Sequence, residues 1–367
     1  MGRTDIEERL ADAPVIKGVP TGITGFLGAT RNGPLNKAVR VSSFAEYEQR
    51  FGGLVAGLEL GYAIRQFFLN GGTSGWVVRI PRRAPAARIL RALQAFDEVD
   101  LINLITLPGI TAAEAVSAAL DYCRKRRAIL IVDPPASVST PAAIEELVRE
   151  GGFPRSSNAA LYFPWVIISD ALSNSEPRSL PPSGTIAGLI ARSDRTGGVW
   201  KAPAGKDATL HDVQALTHAL TDPETRTLNA LGVNCLRSFS GAKPVAWGAR
   251  MMGSNDNAPP EQKFLPIARL SLFVEESLHR GMGWVAFEPN DDRLWSRLRG
   301  TVEDFLHALY QQGAFVGRTP AEAYYVKCDR TTTSAADIER GVVNVLVGFA
   351  ALKPAEFIML RVRRQTG

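Results

Sequence analysis

The sequence predicts a mixed α/β protein with α+β character, on three observations. Apolar, β-branched runs alternate with amphipathic stretches through the first two-thirds of the chain. Residues 101–133 read strand, helix, strand, the unit that lays two parallel strands side by side. Past Pro259-Pro260 the pattern changes to two long amphipathic helices and then to terminal strands.

In order, Gly22 to Ala29 is a glycine-spaced strand, and Val39-Arg40-Val41 is a second, short one. Ser43 stands at the N-cap of a helix that runs to Phe51 and closes at Gly52-Gly53. Leu58 to Leu69 carries Leu60, Ile64, Phe67 and Phe68 at helical spacing, and Trp76 to Ile80 is a strand with Arg79 exposed. Leu101 to Leu107 is a strand ended by Pro108-Gly109, Thr111 caps a helix through Arg127, and Ala128 to Val132 is the next strand. Pro, Gly and Ser between Asn174 and Gly205 predict long surface loops, and Leu210 to Leu220 predicts a helix. Short strands follow at Cys235 to Phe239 and Val245 to Arg250.

Pro266 to Arg280 and Asp292 to Gln312 are the long helices, the second with Leu294, Leu298, Val302, Phe305, Leu306 and Leu309 on one face. Asp337 to Gly341 is a turn and Val342 to Phe349 a strand. The stretch Phe357, Ile358, Met359, Leu360, Arg361, Val362, Arg363, Arg364 is a basic terminal strand. Such a strand has unpaired groups along both edges and must dock into its own sheet or a neighbour's. At the other end, Asp5, Ile6, Glu7 and Glu8 form an acidic segment, so the termini carry opposite charge.

At 367 residues with 45% hydrophobic and 22% charged residues, the chain has the composition of a globular protein with a large core. Its +5 charge is too modest for a nucleic-acid-binding signature. Three scattered cysteines, Cys123, Cys235 and Cys328, imply reduced thiols and cytoplasmic synthesis. The polar N-terminus predicts no signal peptide, and no apolar run reaches the roughly 18 residues of a spanning helix.

Chemistry is sparse. Gly22, Gly25 and Gly28 have GxxGxxG spacing and lack the acidic ribose partner of a dinucleotide loop, so strand-end turns account for them. Gly313 to Thr319 lacks the lysine of a phosphate loop and reads as a helix cap and turn. His211 and His218 lie seven apart, too far for a chelating pair, and HExxH, CxxC and GxSxG are absent. Asp133 stands at a strand's C-terminal end, where α/β enzymes place catalytic carboxylates. Without a visible partner it reads as a structural cap. An α/β enzyme with a site near Asp133 is the alternative from a different class. No catalytic, cofactor or metal residues are assigned.

Several segments, taken in order, resemble the sheath protein of contractile tails, found in myophages, R-type pyocins and phage-tail-like injection systems. They include Gly18-Val19-Pro20-Thr21-Gly22-Ile23-Thr24-Gly25-Phe26-Leu27-Gly28, Phe67-Phe68-Leu69-Asn70-Gly71-Gly72 and Ala159-Ala160-Leu161-Tyr162-Phe163-Pro164-Trp165. Pro181-Pro182-Ser183-Gly184, Lys201-Ala202-Pro203-Ala204, Trp247-Gly248-Ala249-Arg250 and Phe287-Glu288-Pro289-Asn290 continue the series. It closes with Lys327-Cys328-Asp329 and Lys353-Pro354-Ala355-Glu356-Phe357. Only Met1 to Thr4 precede the Asp5 segment where the family begins with a longer arm, so the N-terminal arm is expected to be short.

The resemblance implies a non-enzymatic structural subunit without cofactors. It implies a short arm at 1–20, a middle α/β domain at 21–242, a C-terminal domain at 243–352 and a β-strand arm at 353–367. Subunits would stack as rings of six around an inner tube protein, with baseplate and terminal cap proteins as further partners. No direct contact with nucleic acid or insertion into membrane is implied. Assembly would occur in a bacterial cytoplasm, giving a virion tail or a released phage-tail-like particle. A sheath paralogue acting as cap or baseplate adaptor is a second alternative. The two charged termini are then inter-subunit arms. Because a C-terminal helix grips the tube in the family, Arg293, Arg297 and Arg299 become candidate tube contacts.

Overall fold

A computed structural model describes residues 14–252 and 257–367. The described chain forms two compact units, one spanning Pro20–Leu272 and one built from Phe273–Gly367 with the residues up to Val19.

The larger unit begins with β1 (Thr24–Gly28), β2 (Ala38–Val41), α1 (Phe44–Phe51), α2 (Glu59–Leu69), β3 (Gly75–Arg79) and α3 (Ala86–Leu93). The Ser43 hydroxyl caps α1 by accepting from the Glu46 N–H at 3.2 Å. The β-α-β unit is β4 (Leu104–Thr106), α4 (Ala113–Arg126) and β5 (Ile129–Val132). Then come α5 (Pro141–Arg149), β6 (Ala159–Phe163), β7 (Val166–Ser169), β8 (Pro177–Leu180), α6 (Ser183–Gly197), β9 (Ala215–Leu216), α7 (Asp222–Ala230), β10 (Val233–Arg237), β11 (Val245–Ala246) and α8 (Pro260–Lys263). The next helix, α9 (Leu265–Gly281), contains the division between the units.

Eight strands form one sheet in the order β11-β10-β6-β5-β4-β1-β3-β2, parallel except at its two ends. Successive side chains alternate between two cores, as pleating requires. Phe26, Val77, Ile129, Ile131 and Tyr162 enter the core shared with α1, α2 and α6. Leu27, Val78, Leu130, Val132 and Leu161 enter the core shared with α3 and α4. A doubly wound sheet results. A small antiparallel sheet, β8-β7-β9, adds Val166, Ile168 and Leu180 to the first core.

Three local expectations are corrected. The stretch read as surface loops contains β8 and α6, and α6 is buried without a break from Ser183 to Ala191. Its glycines serve close packing: a Cβ on Gly184 would lie 2.3 Å from the Ala63 carbonyl oxygen, and one on Gly188 would lie 2.3 Å from that of Phe67. Residues 210–220 form no helix: a turn at His211-Asp212, where Asp212 adopts φ 59° and ion-pairs Arg65 at 3.1 Å, leads into the short strand β9, which pairs with β7. Thr111 does not cap α4, whose N-cap position is Ala112 without a side-chain hydrogen bond. The Gly22, Gly25 and Gly28 series also has a packing cause. A Cβ would meet Ala191 at 2.9 Å, the Phe96 ring at 3.0 Å and Leu60 at 3.1 Å, respectively.

In the smaller unit, Asp291 caps α10 (Asp292–Gln311) by accepting from the Leu294 N–H at 2.9 Å. Then come α11 (Pro320–Ala323), β12 (Tyr324–Lys327), α12 (Ala335–Glu339), β13 (Val342–Ala350) and β14 (Phe357–Gln365). The expected turn at 337–341 is therefore the end of a short helix, with Ser334 and Asp337 forming a capping box. The three strands form an antiparallel sheet in the order β12-β13-β14. Val343, Val345, Val347, Phe349, Ile358 and Val362 are buried, and Phe315 stacks on Phe349 at 5.3 Å.

Candidate assembly surfaces

Of the two docking modes open to the terminal strand β14, its own sheet or a neighbour's, the structure shows the first. It lies along its own sheet over its full length, from Ala350 opposite Phe357 to Val342 opposite Gln365. Ile358 and Val362 point inward while Met359, Arg361 and Arg363 are exposed. Arg363 donates to the Asn344 side-chain oxygen at 3.1 Å, and Arg364 lies 3.5 Å from both ring nitrogens of His279. Among the described residues, β14 and β12 are the outer strands of this sheet, and each has one edge without a strand partner. Asp5, Ile6, Glu7 and Glu8 lie outside the described residues.

The tube-contact candidates lie on α10. Turning about 100° per residue, Arg293 falls about 130° from the mean direction of Leu294, Leu298, Phe305 and Leu309, with Arg297 about 90° from it on one flank and Arg299 about 110° from it on the other. Arg299 is half-buried, while Arg293 and Arg297 are exposed. The Arg297 guanidinium lies 4.3 Å from the centroid of the Trp284 ring and pairs with Glu288 at 3.1 Å. Beside them Phe287 is 88% exposed, an unusual position for so large an apolar side chain. Sequence reasoning used the Phe287-Glu288-Pro289-Asn290 segment for its resemblance and missed that it presents an aromatic side chain to solvent.

Asp133 has a structural role. One of its carboxylate oxygens accepts from the Ser183 N–H at 2.8 Å, the other from the Ser183 hydroxyl at 2.7 Å and the Gly109 N–H at 3.4 Å. It thereby satisfies an N-terminal amide of α6 and ties that helix to the ends of β4 and β5. Burial pushes its pKa up to about 7, against the lowering effect of its three donors. No group of three or more His, Cys, Asp or Glu that could hold a metal occurs among the described residues. None of the described helices is long and apolar enough to cross a membrane.

A pH prediction follows from this carboxyl. Its folded pKa lies above the ordinary carboxylate value near 3.9. The stability it contributes is therefore complete below about pH 4 and is lost as pH rises through about 7. In the Asp133→Asn variant the amide oxygen would accept from the Ser183 N–H, and the Ser183 hydroxyl can turn to accept from the amide. The Tm difference between Asp133→Asn and the parent chain should therefore move in the variant's favour from pH 5 to pH 8. A constant difference across that range would show that Asp133 does not titrate in this way.

Two family profiles match the chain. "Phage tail sheath protein central domain" covers residues 84–252 and "Phage tail sheath C-terminal domain" covers 258–365. The curated "Tail sheath protein" of Vibrio phage KVP40 is 25% identical over 186 residues, which is 50% of this chain and 26% of that protein. The match thus spans about a quarter of that relative's length. Among solved structures, the sheath complex of an extracellular contractile injection system, PVC, in its contracted state is 27% identical, with a TM-score of 0.81 over 98% of this chain and 96% of that one. The helical sheath of the anti-feeding prophage in its contracted state is also 27% identical, with a TM-score of 0.79 over 98% and 97%. A chain of the same prophage's six-fold symmetrised baseplate is 26% identical, with a TM-score of 0.77 over 100% and 99%.

Proposed function

The chain belongs to the phage tail sheath protein family, and from that premise we propose that it is a structural subunit of a contractile sheath. It polymerises as stacked rings of six around an inner tube protein and contracts to drive that tube through a target envelope. One observation carries the reading: similarity to two sheaths solved in the contracted state runs over nearly the whole chain. Residues 21–242 and 243–352 are its middle and C-terminal sheath domains, with arms at 1–20 and 353–367. Baseplate and terminal cap proteins close the assembly, which forms in a bacterial cytoplasm as part of a virion tail or phage-tail-like particle. Negative-stain microscopy of the purified protein tests this, since rings or tubes are expected. A monodisperse monomer at every concentration tried would overturn it.

Among the described residues the outer edge of β14 has no strand partner, which supports a contact between copies, because such an edge is a template for another strand. Arg361 and Arg363 are exposed on that strand, and the acidic segment Asp5, Glu7 and Glu8 supplies the complementary charge. Each exposed pair contributes only roughly 0.2–1 kcal/mol, yet the contact repeats at every lattice node. Changing Arg361 and Arg363 to Glu should cut tube yield several-fold, and changing Asp5, Glu7 and Glu8 to Lys in the same chain should partly restore it. A double reversal that assembles no better than either single one would show that these ends do not meet.

A further inference from the structure

In the larger unit, the second half of α6 and the loop at 201–208 enclose a cavity of about 80 Å³. Its polar wall is Arg192, Ser193 and Thr196 of the helix with Lys201 and Asp207 of the loop, and the rest is apolar. The Thr196 hydroxyl already donates to the Arg192 carbonyl at 3.1 Å. The Ser193 hydroxyl has no hydrogen-bond partner among the described residues and is free to donate.

Both cations of the wall are held in place without being neutralised. The Arg192 guanidinium donates to the Asn70 carbonyl at 3.2 Å and to the Thr209 carbonyl. Such partners fix a guanidinium and leave its charge intact, where a carboxylate would cancel it. Lys201 is placed by a glycine: a Cβ on Gly197 would lie 2.4 Å from the lysine Cδ, so its stem lies across the end of α6. Neither cation has an ion-pair partner among the described residues. Burial and the neighbouring Arg195 lower the Arg192 pKa, and burial, Arg192 and Lys243 lower that of His211. Two nearby carboxylates are engaged elsewhere, Asp194 with Arg269 and Asp212 with Arg65. The negative end of the α6 dipole, about half a charge, and the Asp207 carboxylate offset part of the positive field. Arg192, Arg195 and Lys201 together exceed both.

We infer that this cavity binds a small oxyanion of the phosphate class. One water needs about 10–15 Å³ of such space, so the cavity has room for an ion of a few heavy atoms. It is far below the roughly 300–1,000 Å³ of pockets that take drug-sized ligands. A phosphate would accept charge-assisted hydrogen bonds from Arg192 and Lys201 and a further one from Ser193. Once bound, it joins the 201–208 loop to α6. The inference does not depend on the sheath reading.

Inorganic phosphate is the probe, added to the full-length chain in place of chloride at constant ionic strength. The phosphorus NMR line should broaden and saturate at millimolar concentrations. Lys201→Met keeps the stem over Gly197 and removes the charge. It should weaken binding roughly tenfold, the loss of one hydrogen bond to a charged group. Asp207→Asn should tighten binding several-fold by removing the like charge. Arg88→Met is the control, because Arg88 is exposed on α3, which packs on the other core of the sheet. It should bind phosphate as the parent chain does. An affinity unchanged in Lys201→Met, or lowered as much in Arg88→Met, would overturn the inference. So would an Asp207→Asn variant that binds no more tightly than the parent.

Discussion

Replacing Gly188 with valine is expected to lower the melting temperature of the protein steeply. α6 approaches α2 so closely that a Cβ at this position would lie 2.3 Å from the Phe67 carbonyl oxygen and 2.8 Å from the Asn70 Cβ. The nearer obstacle is helix backbone, which cannot turn aside as a flexible side chain can. Gly184 meets the Ala63 backbone in the same way one turn earlier. The two helices must separate by roughly an ångström or more, opening a core that contains Phe67, Ile186, Leu189 and Ile190. Overpacking of a well-filled core costs about 1–3 kcal/mol or more, a large part of a total stability of about 5–15 kcal/mol. The Asn70 side chain, which donates to the Gln66 and His211 carbonyls, would be displaced as well. Gly300 on α10 is the control, because a Cβ there meets nothing within 4 Å. Gly300→Ala should be stabilising by about 0.5–1 kcal/mol through lost chain entropy. Soluble Gly188→Val protein with the parent's Tm would show that the approach of α2 and α6 is not as tight as described.

This same helix shows where sequence reasoning stops. β1, β4 and β5 were legible because a parallel strand covered on both faces is an unbroken apolar run. α1 was legible from its serine cap and glycine stop. α6 was not, because burial on all sides removes the polar stripe by which a helix is recognised. Its Gly184 and Gly188, selected for close approach, read locally as helix breakers. Residues 210–220 failed for the opposite reason. Leu210, Val213 and Leu220 imitate a helical stripe, yet each is buried from an irregular chain that turns at Asp212, whose φ is 59°. For the candidate surfaces, charge was legible and partnership was not. Nothing in the sequence said that Arg363 would reach Asn344, that Arg364 would lie on His279, or that β14 would lie along β13 of the same chain.

On α10 the structure sharpens the expected result into one that separates its three arginines. Changing Arg293 and Arg297 to Glu should give sheaths that are contracted and empty of tube, whereas Arg299→Glu should leave tube-filled, extended particles at the parent's yield. The reason is exposure. Arg293 and Arg297 are one helical turn apart and both exposed, while Arg299 lies on the other flank of α10 and is half-buried. Arg297 is also held in place by Trp284 and Glu288, so its guanidinium is presented with little freedom left to lose on contact. A glutamate there would face Glu288 and lose the stacking on Trp284, adding repulsion to the loss of attraction. Exposed ion pairs are individually weak, roughly 0.2–1 kcal/mol, which suits a grip that must hold along the tube and still release on contraction. The difference between variant and parent should narrow as ionic strength rises, because screening weakens both the lost attraction and the added repulsion. The measurement is the fraction of extended, tube-filled particles in micrographs of the three variants co-expressed with the tube protein. Normal yield from the Arg293 and Arg297 pair would remove this face of α10 as the grip and leave α9 as the helix to test. Loss of filled particles with Arg299→Glu alone would place the contact on the flank of Arg299 instead.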